Sequence, residues 1–324
     1  RQQAEAAAAA AAAGRNGAGG ALPTYLEADF VFAPGLLGHG SYARVRRATR
    51  TMDGLAVAVK QADAGDDAAQ RATRRELAAL HRLSHPHVVQ LLGTVDHSEG
   101  REVWLVLELA EHGSLRALLG DGPARRRAFG DEHALPGATR TFYRLTGEIA
   151  CALAFLHRRG VAHGDVKPEN VLVFAGGKSK LADFGLAAIV QTMASSVGST
   201  TGARGSAGYM APEVARGESR PYPAADVFGA GILLAEMLSA EPPWSHLHNP
   251  NPVALSNAIA NGQRPALSQG TPELRALISR AWAGDPAARP EAAALHLELR
   301  SMAADGVGGD AAAAQAQAQA QAQA

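Results

Sequence analysis

The sequence predicts an α+β fold in which a small lobe rich in β-strands precedes a larger, mostly helical lobe. Between residue 30 and about residue 110, short runs of alternating apolar and polar residues predominate, which is the period of a strand. From residue 114 onward apolar residues recur at helical spacing, and the stretch 225–239 is apolar almost all round, as in a helix buried within a large domain. Hydrophobic residues form 47% of the chain, enough for a large core.

Individual elements follow from these patterns. The run "LAVAVKQA" predicts a strand with Val57 and Val59 on one face and Ala58 and Lys60 on the other. The run "EVWLVLELA" predicts another strand, and "DAAQRATRRELAALHRL", between the two, has leucines three residues apart and predicts a helix. In the second lobe, "TRTFYRLTGEIACALAFLHRRG" predicts a helix that ends at its Arg-Arg-Gly sequence.

The two ends of the 324-residue chain differ in composition from the middle. The first residues are rich in alanine and then glycine, and the last end in repeated Gln-Ala pairs. Such low-complexity segments have too few large apolar side chains to build a core. We therefore expect disordered segments at 1–29 and 303–324, and one folded domain over 30–302, with a first lobe at about 30–110 and a second at about 111–302.

Overall charge and cysteine content exclude some classes of protein. The 31 basic residues equal the 31 acidic ones, which argues against a general binder of nucleic acid or anionic membranes. The single cysteine, Cys151, cannot form an internal disulfide and suits a reducing compartment.

The apolar run 229–238 is short and contains Glu236, so we expect no membrane span. We predict a monomeric, cytoplasmic domain. Because the chain begins with Arg1 and not with Met, a longer, membrane-anchored parent protein is kept as the alternative.

The stretch "VAHGDVKPENVLV" places Asp165, Lys167 and Asn170 on one loop between a helix and a short strand. At spacings of two and three residues these side chains can converge on a small volume. A carboxylate can accept a proton from a hydroxyl nucleophile, an ammonium can neutralise a transferring phosphate, and a carboxamide oxygen can bind Mg²⁺. Asp183, in "DFG", would supply a second oxygen ligand, although that triplet alone is equally well explained by a turn.

A glycine-rich stretch and a lysine lie upstream of that loop. "LLGHGSYARV" contains Gly38 and Gly40, whose N–H groups could cradle phosphates, although an ordinary hairpin explains the glycines too. Lys60, in "VAVK", lies beside Ala58 and could reach phosphates next to a flat ring; a solvated lysine is the alternative. Glu76, on the predicted helix, is either the partner that keeps Lys60 charged and aimed or a solvated side chain.

Taken in their order along the chain, these motifs resemble the eukaryotic protein kinase family. The set comprises "GHGSYARV", "VAVK", the helical Glu76, "HGDVKPEN", "DFG", "GYMAPE" and "DPAARP", and it covers roughly residues 30–302. The resemblance implies the bilobal protein kinase fold, with one key helix in the small lobe, and ATP and Mg²⁺ as cofactors. "KPEN" is similar to the serine/threonine kinase pattern, and "GSAGYMAPE" resembles the tyrosine-kinase-like group, common in plants and algae.

The resemblance implies a role for each matching residue. Asp165 is similar to the catalytic aspartate and Lys167 to the lysine that steadies the γ-phosphate. Lys60 resembles the lysine that binds the α- and β-phosphates, and Glu76 resembles its ion-pair partner. The implied magnesium ligands are Asn170 and Asp183. The implied nucleotide contacts are Leu37, Gly38, Gly40, Val45, Ala58, Lys60, Glu108, Ala110 and Leu172.

Other matching residues are expected to be structural. Glu213 and Arg289 resemble the buried ion pair of the helical lobe, and Asp226 resembles the anchor beneath the catalytic loop. Four residues match the spine that assembles when the lobes close: Leu80, Leu91, His163 and Phe184. For His163 we therefore expect packing and not proton transfer.

Three departures from the family pattern carry expectations of their own. Gly164 replaces an arginine that often pairs with a phosphorylated activation-loop residue, so we expect a non-RD kinase without that switch. Ala43 replaces the third loop glycine and should leave ATP binding intact. The segment 120–137 is interpreted as a solvated insertion, with a docking site as the alternative. The activation loop also carries seven serine and threonine hydroxyls, which we interpret as solvated, with phosphorylation as the alternative. They are Thr192, Ser195, Ser196, Ser199, Thr200, Thr201 and Ser206.

We therefore expect a protein serine/threonine kinase that transfers the γ-phosphoryl group of ATP to hydroxyls of substrate proteins in signalling. The alternative is a catalytically weak pseudokinase that acts as a nucleotide-binding or scaffold module. A small-molecule kinase is disfavoured by "GYMAPE", which in the family shapes a peptide-binding surface. Catalysis is favoured because all five expected residues are present, namely Lys60, Glu76, Asp165, Asn170 and Asp183.

Overall fold

The computed structural model describes residues 22–39, 43–62, 66–97, 102–129, 137, 139–189, 207–218, 222–247 and 250–304. In this part of the chain a twisted sheet with one helix forms the first lobe, and a mainly helical second lobe follows. The predicted α+β class and the order of the two lobes are confirmed.

The first lobe is built on a mostly antiparallel sheet. Its strands are β1 Thr24–Tyr25, β2 Phe30–Phe32, β3 Gly38–His39, β4 Ala43–Arg50, β5 Ala56–Ala62, β6 Leu91–His97 and β7 Glu102–Glu108. They lie in the order β1-β6-β7-β5-β4-β2, with β3 paired to β4, and β1 runs parallel to β6. The connections are short except where a helix intervenes between β5 and β6.

Alternation along β5 separates the two faces of this sheet as predicted. Val57 and Val59 are fully buried on the outer face, in a cluster with Phe30 and Trp104. Ala58 faces the other way and packs with the main core. One strand thus closes a small outer core and places Lys60 on the inner face, toward the second lobe.

Helix α1, Asp67–Leu80, packs against the inner face of the sheet. Asp66 begins it, because its side chain accepts hydrogen bonds from the backbone N–H groups of Ala68 and Ala69 at 2.7 and 3.2 Å. Leu80 is buried at its end, and Glu76, one turn earlier, is also buried. The helix therefore turns one charged side chain toward the interior.

The described part of the first lobe includes residues ahead of the predicted boundary at residue 30. Thr24 and Tyr25 pair with β6, and the carbonyl of Pro23 accepts a hydrogen bond from the backbone N–H of Thr94 at 2.9 Å. The Tyr25 ring meets Phe30 edge-on, with ring centroids 5.5 Å apart. Thr24 and Tyr25 thus extend the sheet, and Glu27–Asp29 form a turn of 3-10 helix before β2. This segment packs onto the first lobe because Tyr25 supplies an aromatic anchor and β1 covers the edge of β6.

Gly93 makes this edge contact possible, and a matched pair of glycine substitutions tests it. A Cβ on Gly93 would lie 2.4 Å from Tyr25 Cε2 and 2.7 Å from the Pro23 carbonyl oxygen. We expect Gly93→Ala to destabilise the chain by roughly 1–3 kcal/mol, because the neighbouring strand must shift. Gly147, inside the helix Arg140–Arg158, has open space around its Cβ position, so Gly147→Ala should stabilise by roughly 0.5–1 kcal/mol.

Chemical denaturation of the two variants beside the wild type measures both effects. Opposite shifts of the unfolding midpoint agree with the structure. A neutral Gly93→Ala variant would show that residues 23–25 do not lie against β6 in solution.

The second lobe consists of helices packed around one buried helix. Its helices are α2 Leu115–Gly120, α3 Gly122–Phe129, α4 Arg140–Arg158, α5 Pro212–Ala215, α6 Pro223–Ser239, α7 Pro252–Ala260, α8 Pro272–Ala281 and α9, residues 292–304. Helix α6 is buried continuously over residues 226–238, as its nearly uniform apolar sequence predicted. Within the described residues, helix α9 extends through residue 304, past the predicted domain end at residue 302. None of the helices in the described ranges is long and apolar enough to cross a membrane.

Two short strand pairs face the first lobe. Strand β8, Val161–Ala162, pairs antiparallel with β11, Ala188–Ile189, and β9, Val171–Val173, pairs antiparallel with β10, Ser179–Leu181. The loop between β8 and β9 carries residues 163–170. Both ends of that loop are therefore fixed by strand pairing.

Candidate active site

The loop between β8 and β9 brings three predicted side chains into contact. The amide nitrogen Nδ2 of Asn170 donates to the main-chain oxygen of Asp165 at 2.8 Å and to its Oδ2 at 2.9 Å. Lys167 Nζ lies 2.6 Å from the same Oδ2. Pro168 begins a single turn of 3-10 helix that ends at Asn170. This turn folds Lys167 and Asn170 back toward Asp165. The convergence expected from their spacing is therefore present.

Asp226, on α6, anchors this loop from below. Its Oδ1 accepts from the backbone N–H of Gly164, and its Oδ2 from that of His163, both at 2.8 Å. Oδ2 also lies 2.8 Å from His157 Nε2. Gly164 has φ = 81°, a conformation that side chains rarely adopt, so glycine is favoured immediately before Asp165.

His163 packs inside the second lobe. Its side chain is fully buried, its Nε2 lies 3.0 Å from the carbonyl oxygen of Ala182, and its ring centroid is 4.9 Å from that of Phe184. Leu80, Leu91 and Phe184 are buried as well. These contacts agree with the expected packing role.

Lys60 connects the two lobes. Its Nζ lies 2.6 Å from Glu76 Oε2 on α1 and 2.9 Å from Asp183 Oδ1, which follows β10. Burial alone would lower the pKa of Lys60, but the charges of Asp183 and Glu76 outweigh it and hold the pKa above its usual value. Burial raises the pKa of Glu76, and the attraction of Lys60 only partly offsets that effect. The lysine is thus kept as an ammonium inside the cleft.

Asp183 combines strain with a stabilised charge. Its φ of 62° is unusual for a residue other than glycine, and such conformations cluster at functional sites. Burial by itself raises the pKa of its carboxyl, but the charge and the hydrogen bond of Lys60 prevail and hold the pKa at about 2. The side chain is nevertheless 45% exposed. An ionised oxygen therefore remains accessible beside Lys60.

The donor atoms near Asp183 and Asn170 suit magnesium. Asp183 uses Oδ1 for Lys60, which leaves Oδ2, and Asn170 uses Nδ2 for Asp165, which leaves the amide oxygen Oδ1. Mg²⁺ prefers such hard oxygen ligands and commonly takes only one or two from the protein, with water and substrate phosphates completing its shell. The residues present therefore fit a magnesium ion.

The predicted nucleotide contacts of the first lobe lie around β3, β4 and β5. Gly38 pairs with Val45, and the backbone N–H of Leu37 donates to the carbonyl of Val45 at 2.8 Å. Lys60 lies opposite Val45 in the sheet, and Ala58 is buried two residues away. Gly40 lies outside the described residues. Ala43, in place of the third glycine, is buried, so its methyl group packs inward.

The remaining predicted contacts lie at the end of β7, just after it, and on β9. Glu108 ends β7 and Ala110 follows it, while Leu172 on β9 is partly buried against the core. The Glu108 carboxylate is engaged elsewhere: Lys180 Nζ lies 2.6 Å from both of its oxygens, and the backbone N–H of Gln90 donates to Oε1 at 2.7 Å. The backbone N–H of Glu108 in turn donates to the carbonyl of Gln90 at 3.1 Å, so the carboxylate and the N–H of Glu108 are both engaged.

Sequence reasoning missed Lys180, whose partner Glu108 is 72 residues away. It also missed Arg116, which joins Glu169, Tyr209 and Glu236. Both residues look like ordinary surface cations in the sequence. The hydroxyl residues expected between positions 192 and 206 lie outside the described residues. In the segment 120–137, helix α3 is described, and residues 130–136 are not.

Comparison with known proteins agrees with this geometry. The family model for the protein kinase domain matches residues 33–298. CBL-interacting protein kinase 4 of Oryza sativa subsp. japonica is 39% identical over 215 residues, which cover 64% of this chain and 44% of that protein. A probable serine/threonine-protein kinase of Streptomyces coelicolor is 32% identical over 278 residues, covering 84% of this chain and 39% of that protein.

Mitogen-activated protein kinase kinase kinase 7 of Homo sapiens is 33% identical over 261 residues, which cover 79% of this chain and 39% of that protein. The chain therefore spans less than half of the length of these curated relatives. The family model nevertheless covers most of the chain, and the β-rich first lobe followed by a mainly helical second lobe is consistent with its two-lobed fold. The chain belongs to the protein kinase domain family.

Proposed function

We propose that this domain is an active serine/threonine kinase that transfers the γ-phosphoryl group of ATP to hydroxyl groups of substrate proteins. The observation that carries the proposal is the pair of contacts made by Lys60, at 2.6 Å to Glu76 and 2.9 Å to Asp183. These contacts join a strand, a helix and the second lobe around one ammonium group. Protein kinases typically use ATP with Mg²⁺, and both lobes must place their groups together for transfer.

Each residue of the loop has a task that its contacts support. Asp165 is proposed to orient the attacking hydroxyl and to accept its proton, because its carboxylate is held in place by Asn170 and Lys167. Lys167 and Lys60 are proposed to stabilise the negative charge of the phosphates during transfer. Mg²⁺, when bound by Asn170 and Asp183, would neutralise part of the same charge.

The nucleotide is proposed to lie between the lobes. Its phosphates would face Lys60 and the glycine-containing hairpin at Gly38, and its base would lie between Ala58 and Leu172. Hydrogen bonds to the base would come from the main chain at Glu108 and Ala110, since the Glu108 carboxylate is engaged by Lys180.

Serine or threonine specificity is supported by Lys167 in "KPEN" and by the name of the Streptomyces coelicolor relative, a probable serine/threonine-protein kinase. The non-RD subgroup is a finer proposal that rests on Gly164. Because glycine cannot pair with a phosphate through a side chain, we expect activity to be independent of that contact. If alanine at all the loop hydroxyls abolished activity while aspartate restored it, this subgroup assignment would be wrong.

A transfer assay separates an active kinase from a pseudokinase. The purified chain is incubated with radiolabelled ATP, Mg²⁺ and a generic basic protein, with a chelator in a parallel sample. We expect label on serine or threonine, lost in the presence of the chelator. Nucleotide binding by a folded chain without any transfer would support the scaffold alternative instead.

A further inference from the structure

Four side chains from separate parts of the second lobe meet beside the proposed catalytic loop. Arg116, in the first turn of α2, donates from Nε to Glu169 Oε1 at 2.8 Å and from Nη2 to the Tyr209 hydroxyl at 2.6 Å. Its Nη1 and Nη2 both contact the carboxylate of Glu236, the latter at 3.3 Å to Oε2. The Tyr209 hydroxyl donates to the same carboxylate. We call these four residues the Arg116 cluster.

The Arg116 cluster lies along the expected path of a protein substrate. Glu169 is next to Asn170, whose side chain bonds Asp165 at 2.9 Å. An extended peptide advances about 3.3 Å per residue, so a peptide whose hydroxyl reaches Asp165 brings its side chains within about three residues of Glu169. Tyr209 ends the short 3-10 helix Ala207–Tyr209, which leads into "APE", part of the motif expected to shape the peptide surface.

Charge and exposure within the cluster show what Arg116 does there. Glu236 is only 2% exposed, and it also lines a cavity of about 290 Å³ with residues of the loops that follow α6. Arg116 and Glu169 are 34% and 43% exposed, so the edge of the cluster faces solvent. Two carboxylates would accumulate negative charge at this edge, and the guanidinium of Arg116 occupies the position between them. Paired carboxylates of this kind are the preferred partners of a guanidinium group.

We propose that Arg116 is a specificity-determining residue, which fills with the chain's own guanidinium a place that would otherwise bind a basic side chain of the substrate. The inference rests on the proposed function, because it concerns how a protein substrate is selected. The wild-type domain then has no preference for arginine within about three residues of the phosphorylated hydroxyl. Removal of Arg116 uncovers Glu169 and Glu236 and creates such a preference.

The test uses a set of serine peptides in which a single arginine is moved through the positions flanking the acceptor. For each peptide, kcat/KM and the Kd from fluorescence anisotropy are measured with the wild type and with Arg116→Ala. We expect the arginine peptide to gain at least about tenfold over its alanine counterpart in Arg116→Ala, at one or two adjacent positions only, because a hydrogen-bonded ion pair is restored. The gain should appear in KM and Kd more than in kcat.

Three further variants test whether the expected gain comes from the two carboxylates that Arg116 covers. Arg116→Ala combined with Glu236→Gln removes one carboxylate and should lose most of the gain. Arg116→Lys keeps a cation in place and should resemble the wild type. Arg280→Ala removes an exposed arginine that pairs with Glu298 at 2.5 Å, and it should leave the whole profile unchanged.

Each outcome decides the matter. A flat arginine profile in a folded Arg116→Ala variant, or a tenfold wild-type preference for arginine within three residues of the acceptor, overturns the proposal. If circular dichroism shows that Arg116→Ala is unfolded, the wild-type profile decides alone by the same criterion. If no peptide is phosphorylated but the Kd values change as expected, the selectivity inference stands and the proposed catalysis fails.

Discussion

Asp165→Asn is expected to lower the rate of phosphoryl transfer by roughly 10² to 10⁴-fold, the usual contribution of a positioned acid–base group. The amide keeps the shape of the side chain but cannot accept the proton of the hydroxyl. The substitution also removes the negative charge that lies 2.6 Å from Lys167 Nζ. Steady-state kinetics should show the loss in kcat, with little change in the KM for ATP.

Two comparisons make this result specific to the cleft. Asp53→Asn changes a carboxylate that pairs with Arg50 on the surface of the first lobe, so it should leave the rate unchanged. Lys60→Met should also abolish most of the transfer, since it removes the ammonium that pairs with both Glu76 and Asp183. If Asp165→Asn and Lys60→Met both retained wild-type rates, these residues would have no part in the chemistry.

Arg289→Ala is expected to destabilise the domain by roughly 3–5 kcal/mol, because it leaves a buried carboxylate without its partner. Arg289 donates from Nη1 and Nη2 to the two oxygens of Glu213, both at 2.8 Å, and its side chain is fully buried. Its guanidinium also donates to the carbonyl of Ala283 at 2.9 Å. Burial raises the pKa of Glu213, but the hydrogen bonds of Arg289 outweigh it and keep the pKa below its ordinary value.

The matched comparison is the exposed pair of Arg280 and Glu298 in the same lobe. Their side chains are 51% and 35% exposed, so Arg280→Ala should cost at most about 1 kcal/mol. Urea denaturation of the two variants measures the difference. Equal losses would show that the Arg289–Glu213 pair is solvated in solution and not part of the core.

The sequence predicted most of the proposed site because its residues lie in short motifs. Asp165, Lys167 and Asn170 are within six positions of one another, so local backbone geometry alone brings them together. The partnership of Lys60 with Glu76, sixteen residues away, was proposed from the need of Lys60 for an acidic partner, with a solvated glutamate as the alternative, and the resemblance to a family then favoured it. The buried pair of Glu213 and Arg289, 76 residues apart, depended on that resemblance too, and the structure confirms it.

Contacts between distant, ordinary-looking residues could not be predicted. Glu236 was noticed only as a charge that interrupts an apolar run, and its partner Arg116 is 120 residues away. Tyr25 lies in a stretch whose composition resembles a linker, yet its ring packs closely against Gly93, which has no side chain in the way. Neither pattern has a period or a motif, because the complementarity arises only when two separate segments pack together.

Gly164 shows how one residue can carry two explanations. Its effect on regulation was inferred from the missing arginine side chain, and that inference stays a prediction. Its φ of 81° was not visible in the sequence, and it gives a local reason for glycine at this position. The monomeric state also stays a prediction.

Calorimetric titration of ATP into the folded domain, with and without Mg²⁺, tests most directly whether residues of both lobes form one nucleotide cleft. We predict binding that is strengthened by Mg²⁺ in the wild type, and a loss of that strengthening in Asp183→Asn, which removes an ionised oxygen ligand. Absence of heat and of a thermal shift for the folded wild type with ATP and Mg²⁺ would contradict a cleft built around Lys60, Asn170 and Asp183.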